Sequence, residues 1–312
     1  MKIAILNRYQ NQTNRGLETV IIELVKELSK KHQVDVYAGK EADDFFKIAN
    51  ARYDIIMPTN GRWQSLKFSL GRLFFRYKLV IGGHSGIGID DIWNIAIVRP
   101  NVFIALTDYM AIWAKKWAWG SKVVKINNGV NLDTFKPEGE KLKIDLSKPI
   151  VISVGALSWY KYHERLIEAV SYLSGVSLLI VGKGEEKEEL EKLGQEKLGD
   201  RFRIISADYK DLPKIYRAAD VFTLPSWDRE AFGIVYLEAM ASGLPVVAPD
   251  DLSRREIVGE AGILVDTSDI EKYARAIERA LNKKWGDLPR KQAERFSWDS
   301  IVKKYEESLL KL

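Results

Sequence analysis

Short runs of β-branched and other apolar residues alternate along the chain with stretches in which apolar residues recur every three or four positions. A short apolar run predicts a buried strand, and the wider spacing predicts an amphipathic helix, as over 17–30. The predicted strands are 2–6, 34–37, 54–57, 78–81, 102–106 and 122–126 in the first half, and 150–154, 177–181, 202–205, 221–224, 245–248 and 263–265 in the second.

Strands without polar alternation, each followed by a helix, are typical of parallel sheets that helices cover on both faces. The polar stretch 127–149 separates two such blocks. The sequence therefore predicts an α/β protein of two Rossmann-like domains, 1–145 and 146–312, with the last helix near 298–310 packing on either one. Because ligands of open α/β sheets bind at the carboxyl ends of the strands, two facing sheets would form an interdomain cleft.

Composition excludes several kinds of site. The chain has no cysteine, and its three histidines (His32, His84 and His163) lie far apart, so no metal site is predicted. No run of about 18 residues is apolar enough for a transmembrane helix. We expect a cytoplasmic location, with peripheral attachment to the inner membrane face as an open alternative.

The positive charge is concentrated in the first half. Residues 1–150 carry 23 basic and 15 acidic residues, a net charge of +8, whereas the remainder carries a net charge of −3. A basic half favours an anionic partner, such as a phospholipid surface or a phosphorylated acceptor. A surface that is merely basic is an equally good interpretation.

The segment 225–247 combines a strand end, a loop and a helix start. It reads PSWDREAFGIVYLEAMASGLPVV, and its two glutamates, Glu230 and Glu238, stand eight positions apart. The backbone N–H groups of Phe232, Gly233, Ile234 and Val235 would point out of the helix N-terminus, where a diphosphate can bind. Glu238 could accept hydrogen bonds from ribose hydroxyls, and Glu230 could reach a sugar hydroxyl. Considered alone, such glutamates are more often solvated or capping residues.

This segment resembles the Glu-x₇-Glu motif of the family-four retaining glycosyltransferases (glycosyl transferases group 1), which have the GT-B fold. The resemblance implies that Glu238 binds the nucleotide ribose, that Glu230 contacts the donor sugar, and that the backbone after Glu230 holds the diphosphate. It also implies a nucleoside-diphosphate sugar as donor and no bound metal or other cofactor.

A second resemblance lies at residues 154–161, which are similar to the family's Val-Gly-Arg-Leu…Lys-Gly segment. There the arginine and lysine bind the donor phosphates. Lys161 is present, but Ala156 replaces the arginine and Tyr162 replaces the glycine. We hypothesise that Arg229 supplies the missing charge, with Lys183 as a further cation.

Further matches involve glycines and a histidine at predicted strand ends. Arg15-Gly16-Leu17-Glu18 resembles the family's Gly-Gly-x-Glu loop, in which Gly16 approaches the donor phosphate and the acceptor. His84 resembles the family histidine that bonds a donor hydroxyl; a structural histidine is the alternative. Gly182 and Lys183 follow a strand and are assigned beside the nucleoside. His32 and His163 have no such match and are expected on helix ends or surfaces.

Residues 62–78 interleave basic and large apolar side chains. As a helix, the segment would combine a basic face with an apolar stripe suited to an anionic membrane surface. We favour the simpler interpretation, a helix that packs its stripe on the sheet. No nucleic-acid partner is expected. The apolar stripe consists of Trp63, Leu66, Leu70, Leu73 and Phe74.

The resemblance, together with these patterns, implies a metal-independent hexosyltransferase that uses a nucleoside-diphosphate sugar and retains the anomeric configuration. Glu230, His84 and Lys161 are the candidate catalytic residues. The acceptor could be a glycan, a lipid-linked sugar or a small molecule. Two alternatives remain: a nucleotide-sugar 2-epimerase of similar fold, and a non-catalytic protein that binds sugar nucleotides. The predicted donor-binding residues are Gly16, Gly182, Lys183, Arg229, Phe232, Gly233, Ile234, Val235 and Glu238.

Overall fold

The computed structural model describes residues 1–10, 16–59 and 61–312. By the contacts among its residues, the chain divides into two compact units. The first unit contains Met1–Gly129, Arg229–Phe232 and Trp298–Leu312, and the second contains Val130–Asp228 and Gly233–Ser297.

The first unit contains a six-stranded parallel sheet in the order β2-β1-β3-β4-β5-β6 within the described residues. Its strands are β1 (Lys2–Asn7), β2 (Gln33–Ala38), β3 (Ile55–Pro58), β4 (Lys78–Gly82), β5 (Val102–Ala105) and β6 (Lys122–Lys125). Its helices before the second unit are α1 (Gly16–Leu28), α2 (Phe45–Asn50), α3 (Arg62–Gly71), α4 (Ile89–Ile92), which continues as a π-helix over Trp93–Val98, and α5 (Asp108–Lys115).

The second unit contains another six-stranded parallel sheet, in the order β12-β11-β10-β7-β8-β9. Its strands are β7 (Ile150–Val154), β8 (Ser177–Val181), β9 (Phe202–Ile205), β10 (Val221–Thr223), β11 (Val246–Pro249) and β12 (Gly262–Val265). Its helices are α6 (His163–Ser171), α7 (Lys187–Leu198), α8 (Leu212–Tyr216), α9 (Ile234–Ala241), α10 (Leu252–Val258), α11 (Ile270–Asn282) and α12 (Leu288–Glu294).

The α/β class and the parallel sheets predicted from the sequence are confirmed. Each predicted strand is present, and its ends lie within one residue of the prediction. The strands were recognisable because they are buried on both faces; every residue of β3, β5, β7 and β8 is buried. Such strands need no polar alternation.

The ends of the second unit lie next to each other. Val130 forms a parallel bridge with Ser297, and the Val130 N–H donates to the Phe296 carbonyl oxygen at 2.9 Å. Arg290 donates to the carbonyl oxygens of Leu132 and Phe135. These bonds hold 130–135 in the second unit, so its contacts begin before residue 145, the boundary that we placed from composition.

The last helix, α13 (Trp298–Leu309), groups with the first unit. It packs against α1, and Lys31 forms an ion pair with Glu306 at 2.8 Å. Ile301, Tyr305 and Leu309 supply its buried face. The sequence alone had left the partner of this helix open.

The prediction that residues 62–78 bury their apolar stripe on the sheet is wrong. Trp63, Leu70, Leu73 and Phe74 are all exposed. The face that α3 buries contains Gln64, Ser65, Phe68 and Gly71 instead. The helix is rotated in this way because its polar side chains find backbone partners inside the unit, as when Gln64 donates to the Ala42 carbonyl oxygen at 2.9 Å.

In the described part of the chain, no helix is both long and apolar enough to cross a bilayer.

Candidate functional site

The order of the second sheet marks one edge as a candidate binding site. β7 is the first strand of this unit along the chain, yet it lies between β8 and β10. The connections that follow β7 and β10 therefore leave in opposite directions, which opens a crevice at their carboxyl ends. Residues 155–162 and 224–233 follow these two strands and contain Lys161, Arg229, Glu230, Phe232 and Gly233 of the predicted site residues, and α9 continues directly from the second range.

Aromatic residues join the two loops. The Trp227 N–H donates to the Tyr160 carbonyl oxygen at 3.0 Å, and the two rings lie 5.2 Å apart between centroids. The Trp159 ring contacts both, at 5.7 Å from Tyr160 and 5.4 Å from Trp227. This cluster fixes the start of the glutamate loop against the loop that carries Lys161.

A buried arginine holds the same loop from the other side. Arg254 of α10 is 1% exposed and donates to Ser226 Oγ at 2.8 Å and to the Trp227 carbonyl oxygen at 2.9 Å. Its charge is balanced by Asp251, which also caps α10 by accepting from the Ser253 and Arg254 N–H groups. Sequence reasoning missed Arg254, because nothing in its pattern separates it from the neighbouring Arg255, which is exposed.

Helix α9 begins at the predicted place. Gly233 precedes it in the left-handed region, with φ 79° and ψ 62°, a conformation that glycine adopts without strain. Gly233 has no side chain to accept from the N–H groups of Ile234 and Val235, which have no partner within the helix, whereas the Tyr236 N–H donates to the Gly233 carbonyl oxygen at 3.0 Å. Tyr236 anchors the helix by donating to the Leu224 carbonyl oxygen at 2.6 Å. The first turn thus presents donors to an anion.

Glu238 lies one turn further along α9 and is 2% exposed. The Tyr216 hydroxyl, at the end of α8, donates to Glu238 Oε2 at 3.0 Å. Burial raises the pKa of Glu238 to about 7, and the hydrogen bond from Tyr216 acts in the opposite direction. Near neutral pH this carboxyl therefore exchanges between a neutral form and an ionised form. No sequence signal pointed to Tyr216.

Glycines allow the loops after β7 and β8 to touch. A Cβ atom on Gly182 would lie 1.9 Å from the Gly155 carbonyl oxygen, and one on Gly184 would lie 2.2 Å from the Leu157 carbonyl oxygen. The Leu157 N–H donates to the Lys183 carbonyl oxygen at 2.9 Å. The Lys183 side chain is exposed. Only a residue without Cβ permits this approach at Gly182 and Gly184.

In the loop around Lys161, Ala156 and Tyr162 stand where the family pattern has an arginine and a glycine, and each has its own structural effect. Ala156 is exposed, so the position of the missing arginine is open to solvent. Tyr162 replaces the glycine and adopts a left-handed φ of 54°. The Arg165 guanidinium lies over the Tyr162 ring, 3.8 Å from its centroid, which offsets part of the backbone strain. Lys161 Nζ lies 5.5 Å from the centroid of the Tyr160 ring.

His163 is the first residue of α6, which agrees with the expected helix end, but it is fully buried and does not lie on the surface. Its Nε2 lies 3.2 Å from the Ala156 carbonyl oxygen. Because a carbonyl oxygen only accepts, Nε2 carries the proton. Burial lowers the pKa of His163 to about 4, so the ring is neutral and structural. His32 lies just after α1, as expected for a helix end.

In the first unit, the predicted residues also lie at carboxyl ends of strands. Gly16 is the first residue of α1, whereas Arg15 lies outside the described residues. His84 follows β4 and folds back over Gly82, where a Cβ would lie 2.6 Å from His84 Nε2. Desolvation lowers the pKa of His84 to about 4, so its imidazole is neutral at neutral pH. A neutral imidazole can bond a sugar hydroxyl.

The segment Arg229–Phe232 groups with the first unit, and Gly233 returns to the second. Arg229 is exposed, Glu230 is partly exposed and Phe232 is buried. The second unit thus brings together one set of predicted residues at the carboxyl ends of β7, β8 and β10: Lys161, Gly182, Lys183, Gly233, Ile234, Val235 and Glu238. Within the described ranges, no group of three His, Asp or Glu side chains is arranged to hold a metal ion.

Comparison with known proteins shows which family the chain resembles. A family model described as glycosyl transferases group 1 matches residues 135–297. A sulfoquinovosyl transferase of Arabidopsis thaliana is 31% identical over 195 residues, which cover 57% of this chain and 38% of that protein. A lipopolysaccharide core biosynthesis glycosyltransferase of Rhizobium meliloti is 39% identical over 158 residues, 47% of this chain and 46% of that protein. The matched regions thus span less than half the length of these two relatives.

Two solved structures have the same fold over the whole chain. Anabaena HepE in complex with UDP superposes with a TM-score of 0.83 and 19% identity, covering 100% of both chains. Sucrose-phosphate synthase from Thermosynechococcus elongatus superposes with a TM-score of 0.85 and 21% identity, covering 100% of this chain and 99% of the other. At these identities the likeness shows the GT-B fold alone.

Proposed function

The chain belongs to the glycosyl transferases group 1, and on that premise we propose that it transfers a hexosyl group from a nucleoside-diphosphate sugar to an acceptor with retention of configuration. One observation carries the proposal. An uncapped helix N-terminus at Gly233 and a buried carboxyl at Glu238 belong to the same short helix, at the switch point of the second sheet. Such a helix suits a diphosphate and the ribose attached to it.

The donor would be held by four features of the second unit. The first-turn N–H groups of α9 bind the diphosphate, with the positive end of the helix dipole behind them. Glu238 accepts hydrogen bonds from the ribose hydroxyls. The backbone at Gly182 and Lys183 would lie beside the nucleoside, and Lys161 would supply a positive charge to the phosphates.

Ala156 leaves the second phosphate cation of the family missing. We propose that Arg229 and Lys183, both exposed, supply that charge together with Lys161. The open position of Ala156 allows a direct test, since an arginine there meets solvent rather than a packed core. Ala156→Arg should tighten donor binding, whereas the exposed control Gln195→Arg on α7 adds the same charge away from the site and should not.

The protein would catalyse the transfer mainly by positioning the donor and the acceptor, not by forming bonds to them itself. The bond between the anomeric carbon and the diphosphate oxygen breaks, the acceptor oxygen bonds to the same face of that carbon, and the acceptor proton passes to the departing diphosphate. Preorganised N–H donors and Lys161 stabilise the charge that develops on the diphosphate. Glu230 and neutral His84 would hold hydroxyls of the transferred sugar. We propose that no metal ion is required.

Two solved structures of one structural neighbour suggest which donors to test first. Anabaena HepE was solved with UDP and glucose, and also with UDP-glucose. UDP-sugars therefore head the panel, followed by GDP- and ADP-sugars. A donor that binds the folded chain raises its melting temperature by mass action.

The decisive experiment measures release of free nucleoside diphosphate, with and without candidate acceptors and in the presence of EDTA. A transferase releases the nucleoside diphosphate in proportion to the glycosylated product. NMR then determines the anomeric configuration of that product. A 2-epimerase would convert the donor without acceptor, and a binding protein would be stabilised by donor without turnover. Glu230→Gln should lower turnover with little change in donor affinity, and Glu238→Gln should weaken donor affinity. Donor binding that survives Glu238→Gln unchanged would refute the assignment.

A further inference from the structure

The first unit exposes large apolar side chains along one short stretch. Trp63 is 74% exposed, Leu70 57%, Leu73 78% and Phe74 83%. All four lie within twelve consecutive residues, on α3 and the turn that follows it. Isolated exposed apolar residues are ordinary, but a concentration of this kind marks an interaction surface.

This exposure is fixed by the packing of the segment. Phe68 is fully buried against Phe45, with the two ring centroids 5.3 Å apart. After α3, the Arg72 side chain donates to the carbonyl oxygens of Val98 and Arg99 and to Asn101 Oδ1. The start of the turn that carries Leu73 and Phe74 is therefore anchored to the segment 98–101.

A basic groove adjoins the two exposed residues. A cavity of about 760 Å³ is lined by Leu73 together with Arg72, Arg76, Lys78 and Asp54. The Asp54 carboxylate already accepts from the Lys2 N–H at 2.7 Å. Over the described parts of the chain, the exposed Arg76 and Lys78 side chains form no hydrogen bond or ion pair. The groove is thus positively charged, with two cations available to a ligand.

The groove lies at the amino-terminal edge of the first sheet. Asp54 precedes β3, Lys78 begins β4 and Asn101 precedes β5. His84 follows the other end of β4. A partner bound at the groove would therefore leave the carboxyl-terminal edge of this sheet uncovered, where the predicted sugar-binding residue lies.

We propose that this groove and the Leu73–Phe74 turn dock the protein on an anionic lipid bilayer. Leu73 and Phe74 enter the interface between headgroups and acyl chains, while Arg76 and Lys78 bind lipid phosphates in the groove. Exposed apolar side chains beside available cations match an anionic membrane surface. A second copy of the chain is a poorer partner, because two copies of a basic groove repel each other. The inference is independent of the proposed donor.

The test is sedimentation of the whole chain with vesicles of phosphatidylcholine alone and of phosphatidylcholine mixed with phosphatidylglycerol. The wild-type protein should sediment with the mixed vesicles only, and less so as salt is raised. Arg76→Glu with Lys78→Glu should lower the partition coefficient more than tenfold. Leu73→Ser with Phe74→Ser should lower it about tenfold or more.

Matched controls come from the same unit. Lys40→Glu reverses an exposed lysine that follows β2, at the carboxyl-terminal edge of the sheet, and Ile22→Ser removes an exposed apolar side chain from the middle of α1. Both should bind as wild type, and thermal unfolding checks that every variant is folded. Absence of wild-type binding to the mixed vesicles at low salt overturns the proposal. So does equal loss in the controls, or a dimer in light scattering that Leu73→Ser with Phe74→Ser disrupts while vesicles stay unbound.

Discussion

The hydroxyl of Tyr216 donates a hydrogen bond to Oε2 of Glu238, and both side chains are withdrawn from solvent. In the part of the chain that the structure describes, Oε1 of Glu238 accepts no hydrogen bond. One oxygen is therefore held by the protein and the other is available to a ligand. On the proposed role of Glu238 in donor binding, the ionisation of this single carboxyl would control donor affinity.

Donor affinity should rise with pH around neutrality, because ribose hydroxyls donate to the ionised carboxyl and the pKa of Glu238 is about 7. Tyr216 favours the ionised form, so Tyr216→Phe should raise that pKa and move the midpoint upward by about one pH unit. Calorimetry with the donor nucleotide across pH 5.5–8.5 measures the shift. Tyr273→Phe is the matched control, since its buried hydroxyl contacts Thr223. Identical profiles for Tyr216→Phe and wild type would contradict the role given to Tyr216.

Arg254→Ala should destabilise the protein far more than Arg255→Ala, although the two residues are neighbours on α10. Loss of Arg254 leaves Ser226 and the Trp227 carbonyl without their donor and Asp251 without its counter-ion, at a cost of about 2–4 kcal/mol. Arg255 pairs with Asp250 in solvent, where screening leaves an ion pair with little effect on stability. Urea unfolding compares them. Equal effects would show that Arg254 does not hold the glutamate loop.

Gly182→Ala should lower the free energy of unfolding by about 1–3 kcal/mol, because the added methyl group meets the Gly155 carbonyl oxygen and forces the two loops apart. The Michaelis constant for the donor should rise with it. Gly88→Ala provides the comparison, since that Cβ would meet nothing within 4 Å and the backbone there is extended, with φ 176°. Thermal unfolding and steady-state kinetics measure both changes.

Asp91→Asn should stabilise the protein increasingly as pH rises. Asp91 is fully buried, and burial, followed by the charge of Asp90, raises its pKa to about 8. A carboxyl with a raised pKa binds more protons when folded, so its ionisation costs stability between its unfolded pKa and about 8. Wild type should therefore lose about 1.4 kcal/mol per pH unit relative to Asp91→Asn from pH 5 to 8. Urea unfolding measures both proteins across this range. If the difference in their free energy of unfolding does not change with pH, the raised pKa of Asp91 is refuted.

Tyr162→Ala should be less stable than Tyr162→Gly. Both variants lose the stacking with Arg165, but alanine keeps the left-handed strain that glycine relieves, a difference of about 1 kcal/mol. Tyr162→Gly itself should lie close to wild type, because the strain relieved and the stacking lost are of similar size. Chemical unfolding of the three proteins orders them, and a Tyr162→Ala protein as stable as Tyr162→Gly would contradict the strain.

Sequence predicts a part of the fold well when the local pattern of residues is compatible with only one structure. Apolar runs gave both sheets, and the Glu-x₇-Glu spacing located the start of α9. The rotation of α3 was mispredicted because Gln64 is buried through a hydrogen bond to the Ala42 carbonyl oxygen, which lies far away along the chain. Arg254 was missed for the same reason.

Because Val130 forms a bridge with Ser297, the first and last residues of the second unit lie side by side. A segment whose two ends are already paired adds little chain-closure entropy when it is inserted into another protein. Relatives can therefore exchange or remodel the remaining part of the chain while keeping residues 130–297 together as one segment. The family model begins at residue 135, five residues after Val130, and ends at Ser297.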